Sequence, residues 1–188
     1  MSARILVAGL GNMPFPATRH SIGHFVVESL SQRVGAHLAF DKSVDGYHAE
    51  TRITMGDKLV TLELLKTKPL MNVSGPSVAA ALRKNKLSPS SLILIHDSLE
   101  HRPATISPKF GGSHNGHNGV RSVISALGSK DFHRLRIGIG RSDRAGAAVY
   151  VLGRLSSHER EYWGPGGAGI DVVWQHIESI ALQDGSPR

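Results

Sequence analysis

The chain has 188 residues, enough for one domain with a real core and too few to require a second, so a single domain over 1–188 is expected. Apolar residues make up 40% and charged residues 20%, which excludes a disordered chain, and no apolar run approaches the roughly 20 residues that cross a bilayer. Cysteine is absent, excluding a disulfide framework, a thiolate nucleophile and a Cys-ligated metal, while a formal charge of +7 favours a polyanionic partner such as nucleic acid.

Arg4 to Ala8 (RILVA) is a short continuous apolar run ended by glycine, the pattern of a strand buried on both faces. A strand starting there leaves no room for a cleaved signal, and the expected compartment is intracellular and reducing. Ile22, Phe25, Val26, Leu30 and Val34 recur at helical spacing, with Ser21 as the start. Tyr47 to Thr54 and Leu59 to Leu65 read as strands joined by the turn Met55-Gly56-Asp57-Lys58, an antiparallel hairpin. Val78, Ala81 and Leu82 mark a helix over Ser77 to Lys84, and Ser91 to Ile95 is a second buried strand running into His96-Asp97.

A weak strand near Ala104 to Ser107 precedes the glycine-rich stretch Phe110 to Gly119, after which Val120, Val123, Ile124 and Leu127 give a helix. Arg134 to Ile139 alternates as a strand, and Ile170, Val173, Ile177 and Ile180 mark a closing helix over about 168–183. The mixture of strand-helix units with a hairpin predicts an α/β fold: one three-layer α/β/α domain on a twisted mixed sheet, phosphorylase/hydrolase-like.

Sheets of this class hold ligands beyond the carboxyl ends of their strands, where Asn12, His96-Asp97 and the glycine-rich loop fall. A histidine oriented by a carboxylate is the minimum unit for general-base activation of water, and His20 with Asp97 supplies one candidate. Other readings stay open at this point. His20 and His24 stand four apart, with His114, His117 and Asp97 available as further metal ligands, although no HExxH occurs. Gly9-x-Gly11 after a strand suggests a dinucleotide loop, but Pro14 stands where the third glycine belongs. No GxSxG is present for a serine nucleophile. Asn118, just before a helix whose N-terminus favours an anion, is placed to meet a developing oxyanion.

Together, GLGN, TRHSIG, KPLMNVSG, HDSLE, KFGGSHNGHNGVRS, FHRLRIGIGR and YVLGRL resemble the bacterial-type peptidyl-tRNA hydrolase family in order and approximate spacing, over about residues 5 to 155. The resemblance implies a metal-free and cofactor-free esterase that releases peptides from peptidyl-tRNA; a monomer acting in the cytoplasm, or in an organelle, is expected. It implies His20 as catalytic base, Asp97 as its orienting carboxylate, and Asn12, Asn72 and Asn118 as amides around the ester. Lys109 and Arg136 match a clamp for the tRNA's terminal 5′ phosphate. The family pattern departs at MPFPATRHS, which is shorter than usual, has Ser21 where asparagine is common, and offers Phe15 in place of the usual aromatic. Asn115 replaces a glycine, and Ser142 to Val149 is short. The alternative from another class is a non-catalytic RNA-binding protein of the same fold.

Overall fold

The computed structural model describes residues 3–183, so the outermost residues of the expected 1–188 span lie outside the described ones. Seven strands form one sheet in the order β2-β3-β4-β1-β5-β7-β6. In chain order they are β1 (Ala3–Gly9), β2 (Ala39–Asp41), β3 (Gly46–Met55), β4 (Lys58–Thr67), β5 (Leu92–Ser98), β6 (Ile106–Phe110) and β7 (His133–Gly138). The four central strands are parallel; on one edge β3 runs antiparallel to β4 and β2 antiparallel to β3, and on the other β6 runs antiparallel to β7. The helices are α1 (Ile22–Arg33), α2 (Gly75–Lys84), α3 (Asn118–Leu127), α4 (Ala147–Val151), α5 (Ser157–Trp163) and α6 (Ala168–Leu182).

Because successive strand residues point to opposite faces, the continuous apolar runs of the central strands feed two cores. Val7, Leu62, Leu64, Ile93 and Ile95 pack with α1, α5 and α6, while Leu6, Ala8, Leu65, Leu92 and Leu94 pack with α2 and α3. The result is the α/β/α sandwich that the pattern predicts. β1 lies between β4 and β5, both parallel to it, so the chain reverses its direction of travel across the sheet there, and the carboxyl end of β1 opens the crevice in which such folds hold ligands.

α1 reaches this crevice by a backbone-to-backbone contact. A Cβ on Gly23 would stand 2.4 Å from the Ile95 carbonyl oxygen and 2.5 Å from that of Leu10, and one on Gly9 would stand 2.2 Å from the Gly23 carbonyl oxygen. Gly23→Ala is therefore expected to destabilise the fold by about 1–3 kcal/mol or more by overpacking. Gly146→Ala, with open space around the position, is the control; thermal melts of both variants check the difference.

Five elements differ from expectation. β5 does not stop at Ile95 but carries His96, Asp97 and Ser98 in register with Arg136, Ile137 and Gly138, because pairing with β7 continues through the polar residues. β6 begins at Ile106 rather than Ala104, whose φ of 58° no strand accommodates, and extends to Phe110, paired with His133. β2, α4 and α5 were not anticipated, although α5 opens with a capping box in which Ser156 and Glu159 satisfy each other's backbone N–H.

Candidate active site

His20 sits in a 3-10 turn (Arg19–Ser21) between the β1 exit and α1. Ser21 ties this turn to the loop before it: its hydroxyl accepts from the Asn12 N–H at 3.0 Å and donates to the Phe15 carbonyl at 2.8 Å. The Ser21 hydroxyl thus holds the lip. The lip is also pinned from the far side, where Leu155 N–H donates to the Ala17 carbonyl and Arg19 lies over the Tyr150 ring of α4. Phe15 projects from it, 54% exposed.

Asp97, only 3% exposed, receives two imidazoles. His20 Nδ1 lies 3.0 Å from one carboxylate oxygen and His117 Nε2 lies 2.8 Å from the other. The tautomer of His117 follows from its second role as the N-cap of α3: the Val120 N–H donates to its Nδ1, which places the ring proton on Nε2, facing Asp97. Burial pushes the Asp97 carboxyl up, but the two histidines outweigh it and hold the group far below the usual carboxylate range. Burial likewise lowers His20, yet the hydrogen bond and charge of Asp97 leave its pKa raised. Neutral His20 then donates from Nδ1 to Asp97 and keeps its lone pair on Nε2, which has no partner among the described residues. Behind them His96 donates from Nδ1 to the Asp97 backbone carbonyl and packs edge-on against His117, and burial lowers its pKa to about 3, so it remains uncharged.

The three asparagines converge here, with different restraints. Asn12 accepts the Met71 N–H on Oδ1 at 2.8 Å, and since a backbone N–H requires an oxygen opposite, the Asn12 Nδ2 is left as a donor. Asn118 accepts from the Arg121 guanidinium at 2.7 Å, which also leaves its NH2 free to donate. Asn72, next to Met71, faces Asn118 across a groove of about 470 Å³ between the residue 71–73 turn, α2 and α3. The helix starts at Asn118 itself, two residues before Val120, because His117 takes the cap.

Lys109 and Arg136 share the sheet face that carries His96, being paired across β6 and β7 with Arg134 and Ser107. Arg136 is braced by the Ser107 carbonyl and hydroxyl. Lys109 folds over Gly112, where a Cβ would fall 2.7 Å from its Cε. Buried Arg134, which sequence reading passed over, donates to the carbonyls of Gly111 and Ser113 and fixes the glycine-rich loop.

The open metal reading fares differently for its four histidines, of which His114 lies outside the cluster and accepts the Gly116 N–H on Nδ1. Ligand atoms of His20, Asp97 and His117 lie within 4.8 Å of one another, whereas His24 points away to Thr67. A cation between His117 and Asp97 would need the nitrogen that the Val120 contact keeps protonated, so this trio is built as a hydrogen-bonded relay.

The profile of the family described as peptidyl-tRNA hydrolase matches residues 6–183. The chain belongs to the peptidyl-tRNA hydrolase family. A peptidyl-tRNA hydrolase of Geobacter metallireducens is 45% identical over 194 aligned positions, covering all of this chain and 93% of the relative. One of Xanthomonas campestris pv. campestris is 43% identical over 158 positions, 82% of this chain and 79% of the relative. The crystal structure of a peptidyl-tRNA hydrolase in complex with N-propanol superposes with a TM-score of 0.82 at 32% identity, covering 96% of this chain and 90% of that one. The Acinetobacter baumannii enzyme gives a TM-score of 0.78 at 32% identity, covering 95% and 87%. Membership of this peptidyl-tRNA hydrolase family makes the chain a hydrolase, and among the described residues no helix is long and apolar enough to cross a membrane.

Proposed function

We propose that the chain hydrolyses the ester joining a peptide, or an N-blocked aminoacyl group, to the 3′-terminal ribose of tRNA. The observation that carries this reading is the pair of imidazoles on one buried carboxylate, which leaves the His20 Nε2 lone pair without a partner among the described residues, while Asn118, the residue after His117, lines the neighbouring groove with Asn72. His20 Nε2 removes a proton from water as the water oxygen bonds to the ester carbonyl carbon. The tetrahedral oxyanion is met by the NH2 groups of Asn12 and Asn118, each turned by the partner on its carbonyl oxygen; one such donor is worth about 3 kcal/mol. Asp97 stabilises the imidazolium. As the intermediate collapses, the C–O bond to the ribose breaks and the imidazolium proton goes to the departing oxygen. Asn72 binds the peptide, Phe15 covers the acyl group from the lip, and neutral amides do this without adding a carboxylate that would raise His20 further.

Lys109 and Arg136 grip the tRNA's 5′ phosphate, a role that their shared sheet face and the charge of +7 support. The chemistry needs no metal or cofactor, and the enzyme works as a cytoplasmic monomer on tRNA released early from translation. A non-catalytic RNA binder of the same fold has no need for a base, its orienting carboxylate and oriented amides in one place, and is not favoured. Salt separates the tRNA reading from general esterase activity. The kcat/KM for N-acetylaminoacyl-tRNA is expected to fall steeply with salt while that for a small neutral ester stays flat, and Lys109→Ala or Arg136→Ala should each reduce the salt slope by about 1. A flat profile for the tRNA ester contradicts the assignment of the clamp.

A further inference from the structure

A second cavity, of about 180 Å³, opens on the α1 side of Asn12 beneath the lip, lined by Asn12, His24, Phe25, Glu28 and Lys66 among others. That is well under the roughly 300–1,000 Å³ of a site for a drug-sized ligand, so it holds a single side chain. Its wall is polar in a specific way. The Thr67 hydroxyl donates to the Gly9 carbonyl at 3.3 Å and accepts from His24 Nε2 at 3.1 Å, which places the proton of this buried imidazole on Nε2 and the lone pair on Nδ1. His24 is 4% exposed, and its Nδ1 has no hydrogen-bond partner among the described residues. Burial and the charge of Lys66 push its pKa down to about 3, so Nδ1 stays an acceptor throughout the neutral range. Lys66, itself mostly covered, forms an ion pair with Glu28 beside it.

None of these groups enters the hydrolytic steps, yet Asn12 borders both the cavity and the proposed ester site. We propose that the cavity is a subsite for the side chain of the residue esterified to the tRNA, and that it selects an uncharged carboxamide, glutamine above all. This rests on the hydrolase reading above. The carboxamide oxygen accepts from the Lys66 ammonium, and its NH2 donates to His24 Nδ1, which has no protein partner among the described residues and belongs to a residue lining the cavity. A carboxylate side chain there meets Glu28, an ammonium meets Lys66, and an alkyl or thioether chain of the same shape leaves His24 unpaired. Phe25 packs against the methylene stem.

The test uses one tRNA body charged with N-acetylglutamine or with the near-isostere N-acetylmethionine, and compares kcat/KM. Glutamine is expected to be favoured about tenfold, the effect of one buried hydrogen-bonding site left unpaired. Lys66→Met and His24→Leu should each bring the ratio toward one. Thermal melts accompany both variants, and if His24→Leu does not fold, Lys66→Met decides. A wild-type ratio near one, or a ratio unchanged in Lys66→Met, overturns the subsite while leaving the hydrolase reading intact. Release of tRNA from neither ester overturns both.

Discussion

His20→Ala is expected to lower kcat for tRNA release from N-acetylaminoacyl-tRNA by about 10²- to 10⁴-fold, the usual contribution of a positioned general base. KM should hardly move, because the amides that line the groove and the basic residues assigned to the tRNA remain. The fold should tolerate the change: His20 is partly exposed in a short turn, and Asp97 keeps its second partner, His117. Single-turnover hydrolysis with saturating enzyme, beside a thermal melt, separates lost chemistry from lost structure. Undiminished turnover would remove His20 from the mechanism.

Asp97→Asn is the second large effect, and its pH dependence is more telling than its rate. The carboxylate accepts from two imidazoles, while an asparagine side chain has one oxygen and presents N–H groups on its other side, so one histidine must turn its tautomer. A loss of about a hundredfold or more in kcat follows if His20 is the one that turns, since its lone pair then faces residue 97 instead of water. In the wild-type protein the His20 pKa is raised, so the base form appears as pH rises through a value above the ordinary 6.5, and the acid limb of kcat/KM should lie above that point. Removing the negative charge leaves burial, which lowers the pKa, so the limb of the variant must move to lower pH. A loss of rate with no movement of the acid limb would mean that Asp97 does not face His20 in solution.

The parts of the fold legible in the sequence are those governed by local periodicity. The apolar run of β1, the start of β5, the hairpin of β3 and β4, and the repeats of α1 and α6 stand within a residue or two of their expected places. What the pattern missed depends on partners distant in the chain. Polar His96 and Asp97 extend β5 only because β7 runs alongside, and the three residues of β2 are a strand only against β3. The weak strand slid from Ala104 to Ile106 because a non-glycine residue takes a left-handed turn that no propensity announces. At the site, the motifs indicate that His20, Asp97 and the asparagines are candidates, and folding brings them together. Their restraints were not legible: Met71 N–H on Asn12, Arg121 on Asn118 and Arg134 beneath the glycine-rich loop come from other segments or from side-chain geometry. In the sequence His117 stands out only as a metal ligand, because its capping of Val120, which fixes its tautomer, needs the exact start of α3.

The most direct test is turnover itself. The purified protein, without added metal, is incubated with N-acetylaminoacyl-tRNA, and the products are counted. The predicted result is free tRNA and intact N-acetylamino acid in equal amounts, released through many cycles by the wild-type protein and only at trace rates by His20→Ala. Tight binding of the tRNA with no release by the wild-type protein would contradict the account.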